Sequence, residues 1–195
     1  MKRTASINRN TTETQINISL DLDGQGDSNV STGIAFFDHM LILFTVHGFF
    51  DLNLAASGDL DVDLHHTVED VGLVLGGAIN KALGDRRGIK RYGHAVTPMD
   101  DALTSVTIDL SKRPFLVYNV PYTINASGIF DIQIAKEFFR AFTINGGMNL
   151  HINVLYGENQ HHILESIFKA TGRALDQASM YDERIKSVLS TKGSL

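Results

Sequence analysis

Apolar and polar residues alternate from Thr12 to Asp23, with Ile16, Ile18, Leu20 and Leu22 on one face and Gln15, Asn17, Ser19 and Asp21 on the other. A period of two over this length predicts a half-buried strand. Gly24-Gln25-Gly26-Asp27-Ser28-Asn29 reads as a turn or loop. Ile34 to Val46 is apolar on most sides, interrupted by Asp38 and His39, and predicts a buried helix closed by His47-Gly48. Phe50, Leu52 and Leu54 alternate with Asp51 and Asn53 as a strand, and Ala56 to Val62 is expected to include a further short one. A long helical pattern then runs from about Leu64 to Leu83 and stops at Gly84.

Beyond Gly84-Asp85-Arg86-Arg87-Gly88 the plan repeats. Ala102 to Leu110 and Phe115 to Val120 read as strands joined through Ser111-Lys112-Arg113-Pro114. Ile132 to Ile144 reads as a helix closed by Asn145-Gly146-Gly147, Leu150, Ile152 and Val154 alternate as a strand, and a helix follows over about Gln160 to Met180. The polar tail, Tyr181 to Leu195, is expected to need a ligand or neighbour to order it. These patterns predict an α+β fold, an internal duplication of two βαββα-like halves with pseudo-twofold symmetry. The pseudo-repeats are expected to span about 5–87 and 88–182 of a single domain, 1–195, with 183–195 as a C-terminal tail.

The strongest sign of duplication is chemical. Asp63-Leu64-His65-His66-Thr67-Val68-Glu69 and Asn159-Gln160-His161-His162-Ile163-Leu164-Glu165 share the form Asx-x-His-His-x-x-Glu, each at the start of a long helix. Asp63 and Asn159 are suited to N-cap positions. The first His and the Glu are i,i+4 on one helix face, and the second His and the Glu are i,i+3. Adjacent histidines project about 100° apart, so each pair serves two directions. Two pairs and two glutamates predict two metal ions, each taking a His from each copy. Imidazole and carboxylate without thiolate favour Mn, Fe, Ni or Zn over Ca or Mg. Aligning Gly48 with Gly146 sets His39 opposite Glu137, which proposes two matching sets: His39 with His65, His66 and Glu69, and Glu137 with His161, His162 and Glu165.

Composition narrows the class. The net charge of −5 argues against nonspecific nucleic-acid binding, and the absence of cysteine excludes disulfides and a thiolate zinc site. Met1-Lys2-Arg3-Thr4-Ala5-Ser6 leads into polar residues without a signal-peptide apolar region, and the run Met40 to Val46 is too short to span a bilayer. The expectation is a cytoplasmic protein with no membrane partner.

Four stretches together carry a family resemblance: Phe37-Asp38-His39-Met40-Leu41, His65-His66-Thr67-Val68-Glu69-Asp70, Pro98-Met99-Asp100-Asp101-Ala102-Leu103, and His161-His162-x-x-Glu165-x-x-Phe168-Lys169. In order and spacing, over nearly the whole chain, they resemble the imidazoleglycerol-phosphate dehydratases of histidine biosynthesis. The resemblance implies a lyase that removes water from D-erythro-imidazole-glycerol phosphate to give imidazole-acetol phosphate. It implies two Mn(II) ions per subunit, a homo-oligomeric 24-subunit cubic shell with sites between subunits, and two four-stranded sheets around a four-helix layer. The family's ligands carry over onto His39, His65, His66, Glu69, His161, His162 and Glu165. Glu137 stands where many members have His and is kept as a ligand. Glu13 and His47 match positions near the substrate; Glu13 is the first candidate acid/base and His47 the second. Arg91, Arg113, Lys169, Ser190 and Lys192 match phosphate-side positions, although the tail Ser190-Thr191-Lys192-Gly193 departs from the usual Pro-Ser-Ser-Lys-Gly.

The implied reaction needs a weakly acidic C–H proton removed beside a hydroxyl-bearing carbon. Metals that stabilise the ring as imidazolate let it expel the hydroxyl next to it, and proton loss then gives an enol that tautomerises to the ketone. A positioned carboxylate or His moves the protons. Asp100 and Asp101 are expected either to support the site or to cap a turn. His94 and His151 have no repeat partner and read as structural or surface residues. Two alternatives use the same ligands. A dinuclear hydrolase gives no reason for selecting an imidazole. A metal-storage bundle is disfavoured because di-iron bundles carry Glu-x-x-His on long helices, not His-His-x-x-Glu at helix starts.

Overall fold

The computed structural model describes residues 2–121 and 130–195. Met1, at the head of the N-terminal reading, and 122–129, inside the second repeat, lie outside the described residues. Each half runs βββαβα. The first half comprises β1 (Thr4–Asn10), β2 (Thr14–Asp21), β3 (Ser28–Ser31), α1 (Ala35–Gly48), β4 (Asp51–Gly58) and α2 (His65–Leu83). The second comprises β5 (Tyr92–Met99), β6 (Ala102–Asp109), β7 (Phe115–Asn119), α3 (Ile132–Gly146), β8 (Asn149–Tyr156) and α4 (Gln160–Ser179). The sheets have the matching orders β1-β2-β4-β3 and β5-β6-β8-β7. In each, the last-named strand pairs parallel and the others antiparallel. The α+β duplication with two four-stranded sheets and four helices is therefore the architecture of this chain.

Period-two burial follows the alternation read above: Ile16, Ile18 and Leu20 of β2 and Leu52 and Leu54 of β4 are buried, and helix α2 packs against both strands. Helix α4 covers β5, β6 and β8 in the same way. The helices then pair across the halves, α2 with α3 and α1 with α4. Glycines permit these crossings. A Cβ on Gly76 would stand 2.4 Å from the Phe142 carbonyl oxygen, and one on Gly172 would stand 2.3 Å from that of Phe44. The two contacts are images of one another under the pseudo-twofold. Among the helices Phe44 of α1 meets Phe142 of α3 edge-on at 5.9 Å, and Phe138 of α3 stacks on Phe168 of α4 at 5.4 Å. Each fully buried ring of this kind contributes about 1.5–3 kcal/mol.

Several local expectations change. Strands β1, β3 and β5 carried no clear alternation. In β5 the inward residues are Gly93, Ala95 and Thr97, and a Cβ on Gly93 would collide with the Ala174 carbonyl of α4. Residues Ala56–Gly58 extend β4 rather than forming a new strand, because Ser57 and Gly58 still pair with Gln15 and Thr14. A turn closed by Val62 N–H donating to the Asp59 carbonyl (2.8 Å) follows. Helix α1 is closed by Phe49 in the left-handed region (φ 54°), not by Gly48. Gly48 is small because a Cβ there would meet the Phe50 ring at 2.2 Å. Asp63 is not the N-cap of α2: Leu64 holds that position, and Asp63 accepts from His65 N–H at 3.1 Å from one residue earlier. Asn159 is the N-cap of α4 and accepts from His161 N–H at 2.9 Å. The tail is ordered by its own chain: Gly88 N–H donates to the Ser187 carbonyl (3.0 Å) and Arg91 Nη1 to that of Leu189 (2.6 Å).

Candidate metal centre

Helix α4 places His161 and Glu165 one turn apart on one face, with His161 Nε2 2.9 Å from Glu165 Oε1. Helix α1, packed against α4, brings His39 Nε2 to 3.1 Å from the same oxygen. Asp38 accepts from both the N–H (2.8 Å) and the hydroxyl of Thr32 and so fixes the first turn that carries His39. The donor atoms of His39, His161 and Glu165 lie within 4.8 Å of one another, two imidazole nitrogens and one carboxylate oxygen that fit a divalent transition ion. Glu165 is nearly buried, and Lys169 donates to its other oxygen at 2.6 Å. Burial pushes the Glu165 carboxyl up, but Lys169, His39 and His161 outweigh it and hold it at about 2, so it is anionic at neutral pH.

His39 thus joins the second copy of the motif, not the first as the repeat alone had proposed. Helices that pair across the halves exchange the partners. Under the pseudo-twofold Glu137 on α3 takes the position that His39 holds on α1, and the carbonyl oxygen of the next residue, Phe138, would stand 2.5 Å from a Cβ on Gly72 of α2. The first copy is more open: His65 Nε2 lies 3.4 Å from Glu69 Oε2, both are roughly half exposed, and Glu137 Oε2 lies 3.5 Å from Arg140. Among the described residues only His39, His161 and Glu165 bring three such donor atoms within 4.8 Å.

The second histidine of each pair turns to a different acid. His66 Nδ1 is 3.0 Å from Asp59, and His162 Nδ1 is 2.5 Å from Asp101. Each carboxylate raises the pKa of its histidine. A carboxylate on Nδ1 keeps that proton in place and leaves Nε2 as the ligating atom. Asp101 also accepts from the N–H groups of Glu158 (2.6 Å) and Asn159 (3.0 Å), and these contacts with His162 hold its carboxyl well below the usual range. Asp59 was not singled out from the sequence. Its signal was the acidic stretch just before the first His pair. Glu13, in the β1–β2 turn, has its carboxylate 4.0 Å from His66 Nδ1. Asp70, next to Glu69, accepts from Arg9 (3.0 Å) and Thr14 and ties β1 and β2 to the start of α2.

His47 sits in the last turn of α1. Burial, with Lys169 and Arg173 nearby, lowers its pKa and keeps it neutral. A separate cleft of about 950 Å³ is lined by Arg91, Arg113, Ser190 and Lys192 together with Lys112, Arg184 and Lys186. Arg91 is braced there by Asp109, which accepts from Nε (2.6 Å) and Nη2 (3.0 Å). Lys169 stands apart from this cleft, on Glu165. His94 and His151 lie on neighbouring sites of the second sheet, either side of Thr107, away from both clusters. Among the described residues no helix is long and apolar enough to cross a membrane.

The family model described as imidazoleglycerol-phosphate dehydratase matches residues 32–175. The chain is 63% identical over 195 residues to the imidazoleglycerol-phosphate dehydratase of Desulfosudis oleivorans, with all of both chains covered. It is 59% identical to that of Syntrophobacter fumaroxidans over 194 residues, covering 100% of this chain and 98% of the other. Among solved structures, the Staphylococcus aureus enzyme superposes with a TM-score of 0.82 at 39% identity, covering 92% of this chain and 99% of that one. The Pyrococcus furiosus enzyme gives 0.85 at 35% identity, covering 97% and 100%. With the duplicated fold and its paired His-His-x-x-Glu helices, these matches establish that the chain belongs to the imidazoleglycerol-phosphate dehydratase family of hydro-lyases.

Proposed function

We propose that the chain dehydrates D-erythro-imidazole-glycerol phosphate to imidazole-acetol phosphate in the cytoplasm, as a single catalytic domain holding two Mn(II) ions per subunit. The observation that carries this reading is the convergence of His39 and His161 on one oxygen of Glu165, in a chain of this family. His39, His161 and Glu165 would hold one ion, and His65, Glu69 and Glu137 the other. His66 and His162, turned away from their own clusters, complete the sites of neighbouring subunits in a 24-subunit homo-oligomer. When bound, the ions supply positive charge that favours the deprotonated imidazole ring of the substrate.

The chain's own groups do the rest. In the reaction the bond to the hydroxyl beside the ring breaks, the neighbouring carbon gives up its proton, and the resulting enol takes a proton on carbon to become the ketone. Glu13 is the first acid/base and His47, held neutral by its surroundings, the second. Arg91, Arg113, Ser190 and Lys192 bind the phosphate in the basic cleft, where Asp109 and the Leu189 carbonyl fix the Arg91 guanidinium in place. Lys169, matched by the family resemblance to a phosphate-side position, would reach the substrate only from its place on Glu165, outside this cleft.

The test is turnover of imidazole-glycerol phosphate, followed through the ketone product, after metal is stripped and Mn(II) restored. Activity that is lost on stripping and regained with Mn(II) supports the reading. Phosphoester hydrolysis without ketone formation would favour the hydrolase alternative.

A further inference from the structure

The two clusters come from one duplicated motif but differ in charge. Lys169 stands four residues beyond Glu165, its ammonium 2.6 Å from Oε2, and the two side chains are only 14% and 8% exposed, so solvent screens little of that charge. Four residues beyond Glu69 the matching position is Leu73. One turn past Lys169, Arg173 adds to the positive field that lowers the pKa of His47. The facing helices widen the difference. Helix α1 offers His39, an uncharged ligand, while at the equivalent place α3 offers Glu137, an anion. Arg140, which pairs with Glu137 at 3.5 Å, is 65% exposed, so its effect is screened.

The second-copy cluster therefore presents a carboxylate already matched by an ammonium, and the His65–Glu69 pair of the first copy presents one that is not, with Glu137 at the sequence position that His39 takes in the other. We propose that the two ions are held unequally: the ion at His39, His161 and Glu165 is the exchangeable one, with Lys169 setting its affinity. The ion at His65, Glu69 and Glu137 is the retained one. This rests on the two-ion reading above. Two effects of Lys169 oppose each other. By holding Oε2 it presents Oε1 to both histidines, which favours binding. It also sets a full positive charge beside a doubly charged ion in a site of low polarity. The repulsion falls only inversely with distance, so it outweighs the gain from one positioned hydrogen bond.

The experiment titrates the Mn(II)-loaded, assembled enzyme with a chelator. Released Mn(II) is read by its solution paramagnetic resonance signal and retained metal by elemental analysis. The wild type releases two ions per subunit in two steps, separated by about tenfold or more in chelator concentration. Lys169→Met keeps the apolar stem, removes the charge and moves the first step up by about tenfold. Leu73→Lys places an ammonium beside Glu69 and moves the second step down. Release of both ions in one step overturns the proposal, as does a Lys169→Met enzyme whose first step stays in place or moves down. A loaded wild type with fewer than two ions per subunit overturns the two-ion reading itself, and the stoichiometry tells the two failures apart.

Discussion

Asp59 and Asp101 show how much of this site depends on residues that hold its ligands in place. Each takes the Nδ1 proton of one histidine and so fixes which nitrogen is presented. Asp101→Asn keeps an acceptor for the Glu158 and Asn159 N–H groups but removes the charge that orients His162. It is expected to cut kcat/KM or Mn(II) affinity by about 10- to 100-fold while the thermal midpoint moves little; steady-state kinetics and a melting curve check both. A second residue-scale expectation concerns pH. Arg3 is buried and donates to Asp23 while also reaching the Ser179 carbonyl at the end of α4. The Arg3 hydrogen bond lowers the Asp23 pKa from its ordinary 3.8, so the unfolded state binds the proton more readily. The stability this pair contributes is present above about pH 4 and is lost as pH falls through the lowered value. Asp23 is partly exposed, and after screening the pair contributes about 1 kcal/mol or less. Asp23→Asn should lower urea stability at pH 7 by that amount and leave it nearly unchanged at pH 2. At this scale the ligating types were legible because the motif occurs twice. Asp59 and the Lys169–Glu165 contact were not, since neither loop position nor i,i+4 spacing says which atom a charged side chain will meet.

Helices and central strands announced themselves through periodicity, because each buries a continuous stripe of large apolar residues. Of the four edge strands only β7, the run Phe115–Asn119, did. β3 is Ser-Asn-Val-Ser, and β5 turns Gly93, Ala95 and Thr97 inward because α4 lies against it. The partner of each helix was equally hidden, since a period of 3.6 gives the apolar face but not what covers it. That is why His39 was first grouped with its own half. The glycines at the cross-half contacts carry the missing information. Gly172→Ala puts a Cβ 2.3 Å from the Phe44 carbonyl oxygen, against rigid helix backbone. It is expected to destabilise by about 1–3 kcal/mol and to disturb the His39 cluster as α1 is pushed from α4. Gly77→Ala, whose nearest neighbour is Ile7 Cδ1 at an ordinary 3.5 Å, is expected to be neutral or to stabilise by up to about 1 kcal/mol. Denaturant midpoints of the two variants decide between close packing and mere helix propensity.

In the whole molecule, the two motif copies act as one device only if helices from opposite halves, and then from neighbouring subunits, share ions. His66 and His162 turn to Asp59 and Asp101; if, as proposed, they complete sites in neighbouring subunits of a homo-oligomer, chelation dissociates that oligomer as well as inactivating it. Light scattering after chelator treatment checks this: loss of metal at unchanged mass would contradict sites shared between subunits. The most direct test of the central claim is anomalous diffraction at the manganese edge from crystals of the Mn(II)-loaded protein. The account predicts two peaks per subunit, one bounded by His39, His161 and Glu165 and one by His65, Glu69 and Glu137. A single peak, or peaks away from both copies of the motif, would contradict it.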